Sequence, residues 1–489
     1  MPARAARFIQ WPDPDLNPHF FLKPTLTYYG VAVSYLVAYP FVRLAGFAPS
    51  YAAYLAHVPL LTFIGRLFTA AQAIGTVAAL RFAVGGAFGW RAGILGALLL
   101  AVVPFHAAIA HYINVDVPLV LFSVLALGAS LRYLRSMRRR DLVAGGLFAG
   151  LAASAKYPGA ILCITVTVAY LLAPRRRPFV DLAAAGLASV VAFLATSPFV
   201  VLAFREFSTG IGSEAGHMRG LHPGYDLFVD GWLFHPLVYQ VVAQWPLCMS
   251  WPLYALGLAG VSWAVRRRGD VRNRLVLLGY VVPWVAVVGT ATVSFPRYAI
   301  PVLVGLVVLA SAWLDEGFRV RPKAVRVALV GVLVASVGYA GWMSLTLAMK
   351  LEPQSAELAA GWLAKHAPDG SRVAVAIFFP NLPLDRSRLE VRQVQSVPDW
   401  SDAMGWANYV VVSSEYELAL ERAETPRFAQ RAFLERLRVA NEWRLVAEFR
   451  PPPFLNEDAY AALDPYFHNH FHAHAIEVFA RTTDLRTGS

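Results

Sequence analysis

The chain is poor in cysteine, in charge and above all in acidic residues. Cys163 and Cys248 are its only cysteines and each lies inside an apolar run, so neither a disulfide framework nor a cysteine-based zinc site is supported. Charged residues make up 15% of the 489 positions and hydrophobic ones 57%, with a mean hydropathy of +0.50. A soluble domain carries roughly 25% charged and 45–50% apolar residues, so an ordinary soluble protein is excluded. No internal repeat or low-complexity tract is visible. Residues 1–24 hold no apolar core long enough for a cleavable signal peptide.

What the chain has instead is long apolar runs. A spanning helix needs about 20 mainly apolar residues. Windows of about 19 residues predict membrane segments near 25–46, 58–84, 91–110, 115–135, 141–155, 158–173, 178–203, 238–265, 273–294, 298–314 and 324–348. This is a polytopic α-helical membrane protein, with the bilayer as its first partner. The net charge of +12 does not point to nucleic acid, because the arginines cluster between apolar runs, at Arg135–Arg140, Arg175–Arg177 and Arg266–Arg274. Such clusters mark cytoplasmic loops. Counting from them places 111–116, 154–157, 204–237, 294–297 and the tail after Lys350 on the opposite, outer side.

After Lys350 the pattern changes. Residues 355–366 read as a short amphipathic helix, followed by apolar strand-like runs at 373–379, 408–413, 443–449 and 475–480, with a charged helix at 425–440. Strands alternating with helices predict a small α/β domain over 350–489, outside the membrane. Its "HNHFHAH" places His468, His470, His472 and His474 at period two, on one face of a strand. No ligand set of known spacing accompanies them, so a surface strand edge is the simpler reading and no metal site is assigned.

The outward-facing connections carry an unusual set of polar residues. "HYINVDVP" holds His111, Tyr112, Asn114 and Asp116 at a helix junction; Tyr112 and Asp116, four apart, would share a face of any continuing helix. "ASAKYPG" holds Lys156 and Tyr157, "SFPRYAIP" holds Arg297 and Tyr298, and Arg66 lies inside the run 58–84. The long stretch "FREFSTGIGSEAGHMRGLHPGYD" adds Arg205, Glu206, Glu214, His217, Arg219 and His222 and reads as a loop. Taken singly, each charge could end a helix and snorkel to the headgroups. Together on one side they predict a single polar site, because ionisable groups at membrane depth are costly and face internal cavities. One carboxylate among several cations suits a phosphate-bearing ligand.

The stretch before the first apolar run, "WPDPDLNPHFFLKPTLTYYG", is acidic and aromatic, with Asp13, Asp15, Asn17, His19 and Lys23. Hydropathy leaves open whether 25–46 spans or lies in the interface, since its tyrosines and prolines suit either.

"NPHFFLKPTLTYYG", "HYINVDVPLVL", "GLAASAKYPG", "SPFV" and "PRYAIPVL", in this order over about residues 10–350, resemble membrane glycosyltransferases of the GT-C superfold. The similarity is to the dolichyl-phosphate-mannose–protein mannosyltransferase-like group, which includes the aminoarabinose transferases. That resemblance implies a GT-C-like helical bundle with a C-terminal external α/β domain. It implies transfer of a sugar from a polyprenyl-phosphate carrier to a protein, lipid or polysaccharide acceptor on the outer face of a plasma (inner) membrane. No cofactor is assigned, and dependence on a divalent metal stays open at this point.

By the resemblance, Asp116 takes the second conserved acidic position. Lys156 and Arg297 stand where carrier phosphate would bind, and Glu214 and His217 fall in the loop that closes the site. The family's first-loop Asp-Glu pair has no counterpart ahead of "NPHFF". The resemblance implies a start further upstream, with Asp13 or Asp15 as substitutes otherwise; residues 1–24 are then the remainder of an external loop and 25–46 a juxtamembrane helix. The remaining candidate ligand residues are Arg66, His111, Tyr112, Tyr157, Tyr298, Asn17, His19 and Lys23. The alternatives are a lipid-phosphate transporter or flippase, or an inactive transferase-like scaffold. A transporter predicts two related halves with broken helices.

Overall fold

A computed structural model describes residues 1–175, 177–217, 236–266, 271–290, 295–351, 355–376, 382–394, 403, 405–413, 428–439, 441–453, 455–458 and 475–485. These fall into two compact units, one taking in the described residues up to Leu345 and the other those from Thr346 onward.

The first unit is helical. It opens with α1 (Pro2–Arg7), α2 (Leu26–Leu44), α3 (Tyr51–Ala56), α4 (Val58–Phe88), α5 (Trp90–Ala101) and α6 (Pro104–Ile109). Then come α7 (Asp116–Ser136), α8 (Arg139–Ala155), α9 (Leu162–Leu171), α10 (Phe179–Thr196), α11 (Phe199–Leu202) and α12 (Phe204–His217). After α13 (Pro236–Tyr239) and α14 (Trp245–Met249) follow α15 (Trp251–Arg266), α16 (Val271–Gly289), α17 (Ile300–Val320) and α18 (Lys323–Leu351). Among the described residues six helices are long and apolar enough to cross a membrane: α4, α7, α10, α16, α17 and α18. Two bent pairs raise the number to eight, with a 65° bend between Trp90–Ala101 and Pro104–Ala110 and a 120° bend between Leu237–Met249 and Trp251–Arg266. Ser250, at the second bend, has φ +73.

Three of the expected segments fall short of that standard. The run 141–155 is the 17-residue α8, and 158–173 is a 3₁₀ turn (Tyr157–Ile161) leading into the 10-residue α9. Helix α2 is not among the long apolar helices. It buries Thr27, Tyr28, Val31, Ala32 and Tyr35 and exposes Val37, Phe41 and Leu44 on its other side. Its inner face is held by tyrosines: Tyr54 donates to the Tyr35 carbonyl at 2.8 Å, and Tyr39 and Tyr51 meet with ring centres 4.9 Å apart.

Helices α8 and α10 touch backbone to backbone, because α8 carries Gly146 and Gly150 one turn apart. A Cβ on Gly146 would lie 2.0 Å from the Ala185 carbonyl oxygen, and one on Gly150 would lie 2.1 Å from that of Ser189. Only small residues allow so close a crossing. Where the pair ends, hydroxyls replace apolar contact: Thr196 donates to Ser154 at 2.7 Å, Ser154 and Ser197 are 2.7 Å apart, and Thr25 donates to the Thr196 carbonyl at 2.6 Å.

Members of the first two arginine clusters meet at one end of this unit. Arg139 and Arg177 flank Asp181 at 3.5 and 3.3 Å, Arg132 pairs with Asp141 at 2.8 Å, and Arg319 pairs with Asp315. Arg274 donates to the Ala264 carbonyl at 2.7 Å and Asn273 to that of Ala87 at 3.3 Å, so the last turns of α15 and α4 gain donors for their carbonyls. Asp141 and Asp181 sit in the first turns of α8 and α10, where a carboxylate also complements the helix dipole.

The second unit is a five-stranded sheet of β1 (Arg372–Ala376), β2 (Glu390–Gln393), β3 (Tyr409–Ser413), β4 (Trp443–Phe449) and β5 (Ile476–Arg481), in the order β2-β1-β3-β5-β4. Strand β1 is parallel to β2 and β3, and β5 is antiparallel to β3 and β4. Helices α19 (Ser355–His366) and α20 (Phe428–Val439) accompany it. Ala359 and Leu363 pack with Val373, Val375 and Val411 on one face, and Leu437 with Ala374, Val410 and Val412 on the other. Buried on both faces, β1 and β3 read in sequence as unbroken apolar runs. Strand β2, "EVRQ", was missed because it is a polar edge strand with an exposed side. Lys350 and Glu457 form a buried ion pair at 2.6 Å within this unit. His468, His470, His472 and His474 lie outside the described residues.

Candidate active site

Asp116 begins α7, and the turn before it is built by Asn114. The Asn114 carboxamide donates to the carbonyls of Ile109 and Tyr112 at 2.6 and 2.8 Å, and its oxygen accepts from the backbone N–H groups of Asp116 and Val117, both at 2.9 Å. This caps the helix and holds the carboxylate at its positive end. Asp116 is only 3% exposed. Lys156, directly after α8, donates to Asp116 Oδ1 at 2.7 Å, and its ammonium lies 4.3 Å from the centre of the Tyr298 ring. Arg297 and Lys23 also stand within electrostatic reach of this carboxylate. One carboxylate and three cations thus come together from four parts of the chain.

Around them, Arg297 lies over the Phe295 ring at 4.4 Å. Burial alone would lower its pKa, but Tyr298, Asp116 and Tyr112 outweigh that and hold it above its ordinary value, so the guanidinium stays charged. Burial raises the Tyr112 phenol; Arg297 opposes this, while Asp116 and Cys248 add to it. Tyr112 therefore acts as a neutral hydrogen-bonding group. Burial, and then Arg66, lower His111 below its usual 6.5, which keeps the imidazole neutral at pH 7. Tyr112 precedes α7 and is not on its face, contrary to the helical spacing expected of the pair; the Asn114 turn interrupts the helix, and Tyr112 reaches Asp116 through space.

The stretch 15–21 folds onto the same end. Tyr157, next to Lys156, donates to the Phe21 carbonyl at 3.0 Å, and Asn17 and His19 meet Glu206 of α12 at 3.4 and 2.9 Å. Asp15 pairs with Arg7 at 2.8 Å and with His19 at 3.3 Å. Asp13 is exposed and has no hydrogen bond or ion pair among the described residues. Asp15 and Asp13 are thus not drawn to Asp116. The stretch expected to be a loop from 204 is helical as far as His217, because it places its apolar residues on one side. Glu214 and His217 belong to this helix, and their side chains lie outside the described structure. Glu206 is among the polar groups read from the sequence, but its partners are not, and Phe207 and the Thr25–Ser154–Thr196–Ser197 hydroxyls were missed by sequence reasoning. Their partners lie up to 189 positions away, and no local signal marks them. Among the described residues no group of histidine, cysteine, aspartate and glutamate is arranged to hold a metal.

Residues 60–202 match the family model described as dolichyl-phosphate-mannose-protein mannosyltransferase. No curated protein matches the sequence. Among solved structures, ArnT from Cupriavidus metallidurans bound to undecaprenyl phosphate is 15% identical, with a TM-score of 0.54, covering 98% of this chain and 92% of that one. The apo state of the same protein gives 15% identity and a TM-score of 0.51 over 86% and 89%. The apo oligosaccharyltransferase of Archaeoglobus fulgidus gives 12% and 0.52 over 98% and 84%. The resemblance read from the sequence is borne out, and the fold is that of the GT-C membrane glycosyltransferases. Arg66, His111, Tyr112, Asp116, Lys156 and Tyr157 fall inside the matched segment; Lys23 and Arg297 are added by the fold.

Proposed function

We propose that this membrane protein with the GT-C glycosyltransferase fold moves a sugar from a polyprenyl phosphate to an acceptor outside the cytoplasm. The observation that carries the reading is the buried Asp116–Lys156 pair with Arg297 and Lys23 gathered around it. The arginine end is assigned to the cytoplasm by the positive-inside rule. That assigns the Asp116 end to the outer side of a plasma membrane, and with it the α/β unit that follows the last span.

In the proposed reaction an acceptor hydroxyl or amine attacks the anomeric carbon, a new bond forms there, and the bond to the phosphate oxygen breaks. The electron pair leaves with the polyprenyl phosphate, and the nucleophile's proton passes to a carboxylate. Lys156, Arg297 and Lys23 neutralise the departing phosphate, and groups fixed in advance act most strongly where charge develops. Asp116 orients the acceptor or shares in accepting the proton, with Asp15 and Asp13 as alternative carboxylates for that role. Arg66, His111, Tyr112, Tyr157 and Tyr298 are assigned to binding, as are Asn17, His19, Glu214 and His217. ArnT bound to undecaprenyl phosphate supports a polyprenyl-phosphate carrier.

The test is incubation of membranes containing the protein with radiolabelled polyprenyl-phosphate sugars, with and without Asp116→Asn. Label passing to a new product in the wild type alone supports the reading. Binding of the carrier with no transfer of any sugar would favour a transporter.

A further inference from the structure

We propose that Glu206 is a positioning residue of the donor site, acting through Asn17 and His19 on the loop that delivers Lys23 to Asp116. The proposal rests on the reading of Lys23 as part of the phosphate site. Two side chains of one loop meet the two oxygens of a single carboxylate far away in the chain: His19 Nδ1 is 2.9 Å from Oε2, and Asn17 Nδ2 donates to Oε1 at 3.4 Å. The other ring nitrogen of His19 faces Asp15 at 3.3 Å, and Asp15 is held in turn by Arg7 at 2.8 Å. The loop is also fixed from within. The Asn17 N–H donates to Asp15 Oδ1 and the His19 N–H to Asn17 Oδ1, both at 3.1 Å, and His19 takes a φ of +46.

Two residues further on, Phe21 is clamped between α12 and Tyr157. Its ring meets Phe207 edge-on at 6.1 Å, and Tyr157 meets the Phe207 ring at 6.0 Å while donating to the Phe21 carbonyl. Gly210 permits the approach, since a Cβ there would lie 2.9 Å from Phe21 Cβ. Lys23 follows at once. Tyr157 adjoins Lys156, so the clamp and the catalytic pair are anchored on neighbouring residues. The contacts of Glu206 are half-exposed, and exposed ion pairs add little to global stability. Their effect therefore belongs in donor affinity, through the placement of Lys23, and not in the melting temperature.

The test uses the full chain in nanodiscs, with undecaprenyl phosphate as the probe and amide hydrogen exchange over residues 15–23 as an independent readout. Glu206→Ala is expected to speed exchange there, leave the melting temperature unchanged, and raise the Kd for undecaprenyl phosphate about tenfold, the scale of one lost charge-assisted contact. In transfer assays the donor KM rises by a similar factor while kcat stays within about twofold. Glu206→Gln, whose oxygen still accepts from Asn17 while its amide N–H donates to His19 Nδ1 in the Nε2–H tautomer, recovers most of the affinity. Gly210→Val, which forces α12 away from Phe21, gives the same split by a second route. Unchanged exchange in Glu206→Ala overturns the clamp; faster exchange with unchanged Kd overturns its link to the donor. If the wild type does not bind undecaprenyl phosphate at all, the donor reading fails, and the exchange comparison still decides the clamp.

Discussion

The two ends of the helical unit use the same residue types in different ways. At the arginine end, Asp141, Asp181 and Asp315 each sit within a helix and each holds an arginine, with the guanidinium reaching outward. At the other end the carboxylate of Asp116 is buried, and Lys156, Arg297 and Lys23 converge on it. The first arrangement caps helices and fixes connections. The second concentrates positive charge in a half-buried place, which is costly unless an anion is to be received there. Ion pairing and a buried carboxylate do not by themselves mark function, since Asp141, Asp181 and Asp315 are as buried as Asp116; the ratio of cations to carboxylate and the depth of the cation do.

That contrast can be broken by substitution. The largest effect is expected at the crossing that sets both ends apart: Gly150→Leu drives a side chain into the Ser189 carbonyl and should abolish folded protein, read by size-exclusion chromatography. Next comes Asp116→Asn, which keeps shape but removes charge. Transfer should fall about 10²–10⁴-fold if the carboxylate shares acid–base work, with carrier binding retained. A fully active variant would end the assignment.

Lys156→Ala should raise the donor KM about tenfold or more, the scale of a lost charge-assisted hydrogen bond, and Lys156→Arg should restore only part of it because the fork differs in shape and reach. A fall in turnover alone would contradict its role at the phosphate. At the arginine end, Asp181→Asn should cost about 1 kcal/mol or less of stability, because its partners Arg139 and Arg177 are partly exposed, while kcat and KM stay as in the wild type. Kinetic loss there would erase the distinction between the ends.

The smallest effect concerns pH. His111 is held below its usual 6.5, so as pH falls through 6.5 the unfolded chain takes up a proton that the folded chain refuses. Stability should therefore decline on acidification until the folded value is passed, and His111→Gln should lose that part of the slope in thermal unfolding at graded pH.

The sequence by itself determined the membrane class, the run of apolar helices and the change to an α/β unit after Lys350, because hydropathy and periodicity are local. It also determined the order of "HYINVD", "AKYPG" and "PRYAIP", and hence the resemblance to GT-C transferases. Local pattern was less reliable where tertiary contact sets the outcome. The polar edge strand β2 depends on its neighbour, the α7 start depends on the Asn114 turn, and α12 was taken for a loop because glycine and serine dilute its apolar face. Only the tertiary structure decided that Asp116 pairs with Lys156, 40 positions on, and that Asn17 and His19 meet Glu206. A charge's partner depends on which helix ends are brought together, and here that is fixed by backbone contact between helices such as α8 and α10, not by the sequence around the charge itself.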